Sequence, residues 1–350
     1  MPGDTEHYQM QGDAPALLYE RYLVPVIASR WADDLVERGA PKSGERVLDV
    51  ACGTGIVART AARGIQMGRV AALDINPGML SVARSLPMES AVQIEWYEGS
   101  VLDMPFPEAS FDLVLCQLGL QFFPDRLQAL REIFRVLVPT GRLVLSVFRE
   151  IERTPMAHAF AEALDKHLKP GASKLKRVEH GLSDAGELRQ LATDAGFQEA
   201  NVVPAIQIIR YSETREYVRV QLIATPQAGL LSGMGGEQRE AIFDAIATDM
   251  NAFLGSADGG FASPQEAHIL LAAEIVRPDP RRGLPCRSVI ECGGCLSADV
   301  LTFHAGRCAV RLRHRIWLQS LVPRRQLASD RPRAHPHGGA PPQTARLVTN

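Results

Sequence analysis

A doubly wound α/β fold, with a mostly parallel sheet of seven strands, is the class this 350-residue sequence predicts. Three observations lead there. Between residues 46 and 148, short Val/Leu-rich runs alternate with segments of helical period, the signature of βαβ units. Those runs are continuously apolar rather than alternating, as strands covered on both faces must be. Glycines Gly53 and Gly55 punctuate the first strand-to-helix turn, where a backbone free of Cβ can approach a ligand.

The elements follow in order. Residues 14–38 carry Leu17, Leu18, Tyr22, Leu23, Val26 and Ile27 and then Trp31, Leu35 and Val36 at helical spacing. Pro25 inside that run should break or kink it into two helices. Strands are expected at 46–51, 69–74, 91–97, 111–117 and 142–148, the last after a Pro139-Thr140-Gly141 turn. Helices are expected at 56–62, at 77–86 with Pro77 in the first turn, and at 125–137. Beyond 150 the pattern predicts helices at 155–168 and 185–195, a strand at 202–211, helices at 213–224 and 236–254, and a last strand at 268–274.

Composition divides the chain in two. Residues 277–350 hold thirteen arginines, no lysine and four acidic residues, a balance of +9, which leaves −11 for residues 1–276. Four of the six cysteines lie in the same segment, and hydrophobic periodicity lapses there, so an Arg/Pro-rich, disordered tail is expected at 277–350. Arginine, proline, cysteine and histidine without lysine is also what GC-rich DNA yields when read out of frame. No apolar run reaches the roughly 18 residues a membrane span needs, and the polar first ten residues lack a signal-peptide pattern. A cytoplasmic protein is the expectation.

The chemistry concentrates at the strand ends. The first strand closes in Asp49-Val50-Ala51-Cys52-Gly53-Thr54-Gly55, and the helix after it offers unpaired N–H groups. Gly53 to Ala58 fits the G-x-G-x-x-A dinucleotide fingerprint, and Asp74 ends the second strand nineteen residues past Gly55, placed to accept from both hydroxyls of a ribose. Those features suit NAD and S-adenosylmethionine equally. Asp49 separates them: a carboxylate inside a buried strand needs a partner, and an ammonium and sulfonium supply one where a pyrophosphate does not.

With Val47 to Gly55, the sequence Leu73-Asp74-Ile75-Asn76-Pro77-Gly78-Met79-Leu80, the loop Met104-Pro105-Phe106-Pro107 and Ser110-Phe111-Asp112-Leu113-Val114 on the page, the chain resembles the class I S-adenosylmethionine-dependent methyltransferases. Within them it is most similar to the ubiquinone and menaquinone biosynthesis group, over about residues 15–276. The resemblance implies a Rossmann-like fold whose last strand inserts antiparallel beside the fifth. It implies a domain at 1–276, with a cofactor half at about 40–150 and a helical cap from 14–38 and 213–254. It implies methyl transfer from S-adenosylmethionine to an O, C or N centre of a small molecule. The Ala51–Gly55 loop, with Cys52 and Gly53, would wrap the methionine part, Asp49 would hold its ammonium, and Asp74 the ribose. Ile75 and Met79 would pack on adenine, Ser100 and Val101 would meet its edge, and Gln117 would line the methyl end. Ala51 stands where the family has its first glycine, and Ser100 where an Asp is common.

No catalytic base is evident. His158 and His167 are nine residues apart on one expected helix and share a face only loosely, so exposed or capping roles are favoured over catalysis. Tyr8, Tyr19 and Tyr22 could close over the site or simply pack. Asp112 reads as a turn cap, and Cys116 as a small buried hydrophobe. Cys286, Cys292, Cys295, His304 and Cys308 lack the second close ligand pair of a zinc site, so no metal is expected. Nucleic acid is not an expected partner, since the basic tail has no aromatic interleaving. An NAD-dependent oxidoreductase and a non-catalytic S-adenosylmethionine-binding protein are the alternative readings.

Overall fold

The computed structural model describes residues 13–88, 90–255 and 259–273. The elements in chain order are α1 (Asp13–Leu18), a π-helical segment (Tyr19–Ala28), α2 (Ser29–Gly39), β1 (Arg46–Val50), α3 (Ile56–Gly64), β2 (Arg69–Asp74), α4 (Pro77–Ser85) and β3 (Ile94–Glu98). They continue with β4 (Phe111–Gln117), α5 (Arg126–Val136), β5 (Leu137–Phe148), α6 (Pro155–His167), α7 (Lys174–Val178), α8 (Ala185–Ala195) and β6 (Glu199–Tyr211). Helices α9 (Thr214–Ile223) and α10 (Gly236–Leu254) and strand β7 (Phe261–Ala273) complete the described chain. Glu274, Tyr8, the cysteines beyond residue 276 and the tail at 277–350 lie outside the described residues.

One seven-stranded sheet has the order β3-β2-β1-β4-β5-β7-β6. The pairs from β3 to β5 are parallel, and β7 lies antiparallel between β5 and β6. The order reverses between β1 and β4, so the crevice beyond their carboxyl ends is where an open α/β sheet binds ligands.

Alternation along β1 explains why its buried residues are apolar on both faces, Asp49 apart. Leu48 and Val50 face a layer with Leu130 and Ile133 of α5 and Leu188 of α8. Val47 faces the other side, with Trp31 and Leu35 of α2 and Ala58 and Ala61 of α3. A third cluster joins Phe160 of α6, Tyr217 of α9 and Phe243 and Met250 of α10 into the cap.

Three expectations are corrected. Of the break or kink expected at Pro25, the break is absent: Pro25 sits inside the π segment, and the helical run continues into α2. The π geometry spreads the hydrogen-bond ladder to five residues, which accommodates the missing N–H. The Pro139-Thr140-Gly141 turn is built into β5, where the partner of Phe111 is Leu137 but that of Leu113 is Arg142, so the ladder skips three residues. Strands β6 and β7 are both longer than expected and pair over their full thirteen residues. No helix among the described residues is long and apolar enough to cross a membrane.

Candidate cofactor and acceptor site

The strand ends build one wall. Asp49 of β1 is 1% exposed; its Oδ2 accepts the Ala58 N–H at 2.9 Å, and its buried Oδ1 has no partner among the described residues. Burial pushes this carboxyl up to about 8, against the hydrogen bond from Ala58. An orphaned, buried carboxyl oxygen is an acceptor waiting for a donor.

The loop after β1 is wound left-handed at three points, Ala51 (φ 55°), Gly53 (φ 56°) and Gly55 (φ 84°). The Cys52 N–H bonds to Leu73 O at 3.1 Å and the Gly53 N–H to Asp74 Oδ2 at 2.7 Å, so the loop is stapled to the end of β2. Asp74 Oδ1 accepts from the Asn76 N–H at 2.8 Å, and Asn76 in turn caps α4. Burial raises the Asp74 carboxyl, opposed by backbone donors at Asn76, Gly53 and Ile75.

A cavity of about 580 Å³ opens over these ends. Ala51, Gly53 and Asp74 line it, with Ile75, more than half exposed, and Met79 after β2. Ser100 and Val101 line it beyond β3; the Ser100 Oγ already accepts the Leu102 N–H at 3.1 Å. Gln117 closes β4 on the same cavity, its Nε2 donating to Ala28 O at 3.1 Å and its Oε1 buried without a partner among the described residues. Apart from its chain neighbours, no atom of the described residues lies within 4 Å of where a Cβ on Gly53 would stand, so backbone there is open to a ligand. These unpaired acceptors suit a ligand that carries ammonium and hydroxyl donors, as S-adenosylmethionine does.

Three of the eleven expected residues stand apart from the cavity wall. Asp49 lies behind the loop. Cys52 is 7% exposed, its thiol pushed well up by burial and by Asp49 and Asp74. Gly55 faces Trp96 of β3. The histidines go elsewhere: His167 pairs with Asp249 at 2.7 Å, and His158 lies against Phe253 and Glu162. Asp112 binds Arg46 through both carboxylate oxygens, which lowers its pKa, and Cys116 is fully buried.

The cap builds the other wall, which the sequence did not reveal. Lys176 of α7, Glu179, Gln221 of α9, Thr225 and Gln265 of β7 all line the cavity and all are buried. Lys176 Nζ donates to Glu179 Oε2 at 2.8 Å and to Gln221 Oε1 at 3.1 Å. Gln227 Nε2 donates to Glu179 Oε1 at 3.3 Å, and the Trp31 indole N–H to Gln265 Oε1 at 2.7 Å. Leu23, Ile27, Phe123 and Phe148 are among the apolar residues of the lining. Tyr19 also faces the cavity; burial and the carboxylates of Glu20, Asp74, Asp49 and Glu179 push its phenol up to about 12, so it stays neutral.

Comparison with known proteins supplies the family. Residues 24–203 match the model of the ubiE/COQ5 methyltransferase family. The chain is 32% identical over 184 residues to the chloroplastic 2-phytyl-1,4-beta-naphthoquinone methyltransferase of Arabidopsis thaliana, covering 49% of this chain and 70% of that protein. It is 29% identical over 185 residues to the ubiquinone/menaquinone biosynthesis C-methyltransferase UbiE of Cronobacter sakazakii, covering 49% and 73%. A solved structure of a candidate methyltransferase of an antibiotic biosynthesis pathway in Anabaena variabilis shares the fold, with a TM-score of 0.50, 18% identity, and coverage of 70% and 97%. The chain belongs to the ubiE/COQ5 methyltransferase family and is an enzyme that transfers a methyl group from S-adenosylmethionine to a small-molecule acceptor.

Proposed function

We propose that the acceptor is a hydroxylated aromatic ring of the quinol type, methylated at a ring carbon. The relatives' names point to naphthoquinone and menaquinone chemistry and, for one, to C-methylation. The observation that carries the reading is the cavity lining, in which apolar Leu23, Ile27, Phe123 and Phe148 share one cavity with a buried ammonium at Lys176. That combination suits a flat ring bearing an ionisable hydroxyl.

The cofactor assignments belong to the same proposal. Asp49 holds the ammonium of the methionine part, directly or through water, and Ala51 and Gly53 present backbone to it. Cys52 and Gly55 keep the loop in shape. Asp74 takes the ribose hydroxyls, Ile75 and Met79 flank adenine, Ser100 and Val101 meet its edge, and Gln117 faces the methyl end. S-adenosylmethionine, when bound, supplies an electrophilic methyl group on a sulfonium. The protein's part is positioning: the cap walls exclude water and hold the ring carbon in line. We assign this work to a domain at 1–276, with α9 and α10 and the N-terminal helices as cap, in a cytoplasmic enzyme.

The test is an assay of the full chain with a reduced short-chain naphthoquinone, with the product's methylation site read by mass spectrometry and NMR. A ring-carbon methyl is the expected product. Turnover confined to amines or non-aromatic acceptors would overturn the quinol reading.

A further inference from the structure

We propose that Lys176 is the acceptor-oxygen site: supported by Glu179 and Gln221, its ammonium binds the deprotonated hydroxyl of the ring. This rests on the reading of the acceptor as a hydroxylated ring and names the residue that selects it.

The pair is built where a purely structural pair is expensive. Lys176 and Glu179 are each 6% exposed, and taking two charges out of water costs more than packing apolar side chains of the same size. Both line the cavity rather than the interior of a helix interface. Their supports are buried too, Gln221 at 3% and Gln227 at 0%. Gln227 also meets the hydroxyl of Thr225, so the set is held from α7, α9 and the turn after α9.

Hydrogen-bond accounting says what the set offers. Both carboxylate oxygens of Glu179 are engaged, one by Lys176 and one by Gln227. An ammonium has three hydrogens, of which Glu179 and Gln221 take two, leaving one without a protein acceptor among the described residues. Lys176 is also the one cationic side chain lining the cavity among those residues. The wall therefore presents a charged donor. A hydroxyl hydrogen-bonded to it would have the ammonium as its nearest charge, and that opposite charge favours ionisation against the burial and the carboxylates of Glu20, Asp74, Asp49 and Glu179 that hold Tyr19 neutral. The hydroxyl's proton leaves to solvent as the ring binds, and the ring gains the electron density that makes its carbon a nucleophile; on taking the methyl group that carbon would give up its own hydrogen as a proton, restoring the aromatic ring, with S-adenosylhomocysteine as the leaving group.

The probe is 4-nitrophenol, whose phenolate is coloured, added to the full chain saturated with S-adenosylhomocysteine at a pH below the probe's own pKa. The native protein should bind it as phenolate. Lys176→Met should bind it at least ten-fold more weakly or as the uncoloured phenol, Lys176→Arg should restore part of the colour, and 4-nitroanisole should bind native and Lys176→Met alike. Should Lys176→Met not bind S-adenosylhomocysteine, the charge-free pair Lys176→Met/Glu179→Gln takes its place in the same comparison. Equal phenolate colour in the native and substituted proteins, or none in the native protein, overturns the proposal. The quinol reading fails separately: native protein that captures phenolate through Lys176 but leaves naphthoquinols unmethylated refutes that reading and keeps this site. Undiminished naphthoquinol methylation by Lys176→Met does the reverse.

Discussion

Gly55, the N-cap of α3, and Trp96 of β3 meet so closely that a Cβ at position 55 would lie 2.3 Å from Cη2 of the indole. Gly55 is also left-handed, at φ 84°, and starts α3. The glycine thus serves the turn and its fit under Trp96, while Gly53 two residues earlier is the one open to the cavity.

Substitution separates these two roles. Gly55→Ala should cost about 2–4 kcal/mol of stability, from overpacking against Trp96 added to backbone strain. Gly53→Ala should cost about 1 kcal/mol, since its added methyl meets nothing, but it should weaken S-adenosylhomocysteine binding. Thermal melting and calorimetry on the two variants check the contrast; equal melting temperatures would contradict it.

Asp49 makes binding and stability depend on pH. Its folded pKa of about 8 lies above its unfolded value, so the folded state binds the extra proton between about pH 4 and 8. Stability of the ligand-free protein should therefore fall as pH rises through that window, and Asp49→Asn should flatten the fall. S-adenosylhomocysteine affinity should instead rise from pH 6 to 8, as the carboxylate forms opposite the ligand's ammonium. Melting curves and titrations across the window test both signs.

Asp74 ties Gly53 and Asn76 to the end of β2 as well as facing the cavity. Charge-assisted hydrogen bonds contribute about 1.5–3 kcal/mol each, so Asp74→Ala should weaken S-adenosylhomocysteine binding by about 100-fold or more. It should also lower the melting temperature, because two backbone N–H groups lose their acceptor. Unchanged affinity by calorimetry would remove Asp74 from the ribose site.

Ala51 occupies left-handed backbone at φ 55° where a glycine would rest without strain. Such a conformation costs a non-glycine residue about 1 kcal/mol. Ala51→Gly should raise the melting temperature by about 2 °C, part of the relief being offset by the entropy of the unfolded chain. A lowered melting temperature would show that the Ala51 methyl packs usefully against the wall at Gly119.

Much of this was legible in the sequence because burial on both faces leaves its mark locally. Strands β1, β2 and β4 read as apolar runs since neither face sees water, and Asp49 and Asp74 stood out against that background. Strand β6, at the sheet edge, has only exposed and half-buried residues before Ala205, and the sequence signal for its first three residues was lost. The break offered at Pro25 is absent, because a proline's effect on a helix depends on whether the surrounding packing holds a wider turn.

The sequence by itself determined the βα order, the acidic ends of β1 and β2, and with them the family and its cofactor, since each is encoded within a short stretch of chain. The acceptor wall was decided by tertiary structure alone. Lys176, Gln221 and Gln265 are 45 and 44 residues apart along the chain, on α7, α9 and β7, and no local pattern marks any of them. Only the insertion of β7 between β5 and β6, and the folding of the cap over the strand ends, brings a lysine, a carboxylate and two amides to one cavity. Sequence neighbours record which face of an element is buried. Which distant side chains share that burial depends on how the elements pack.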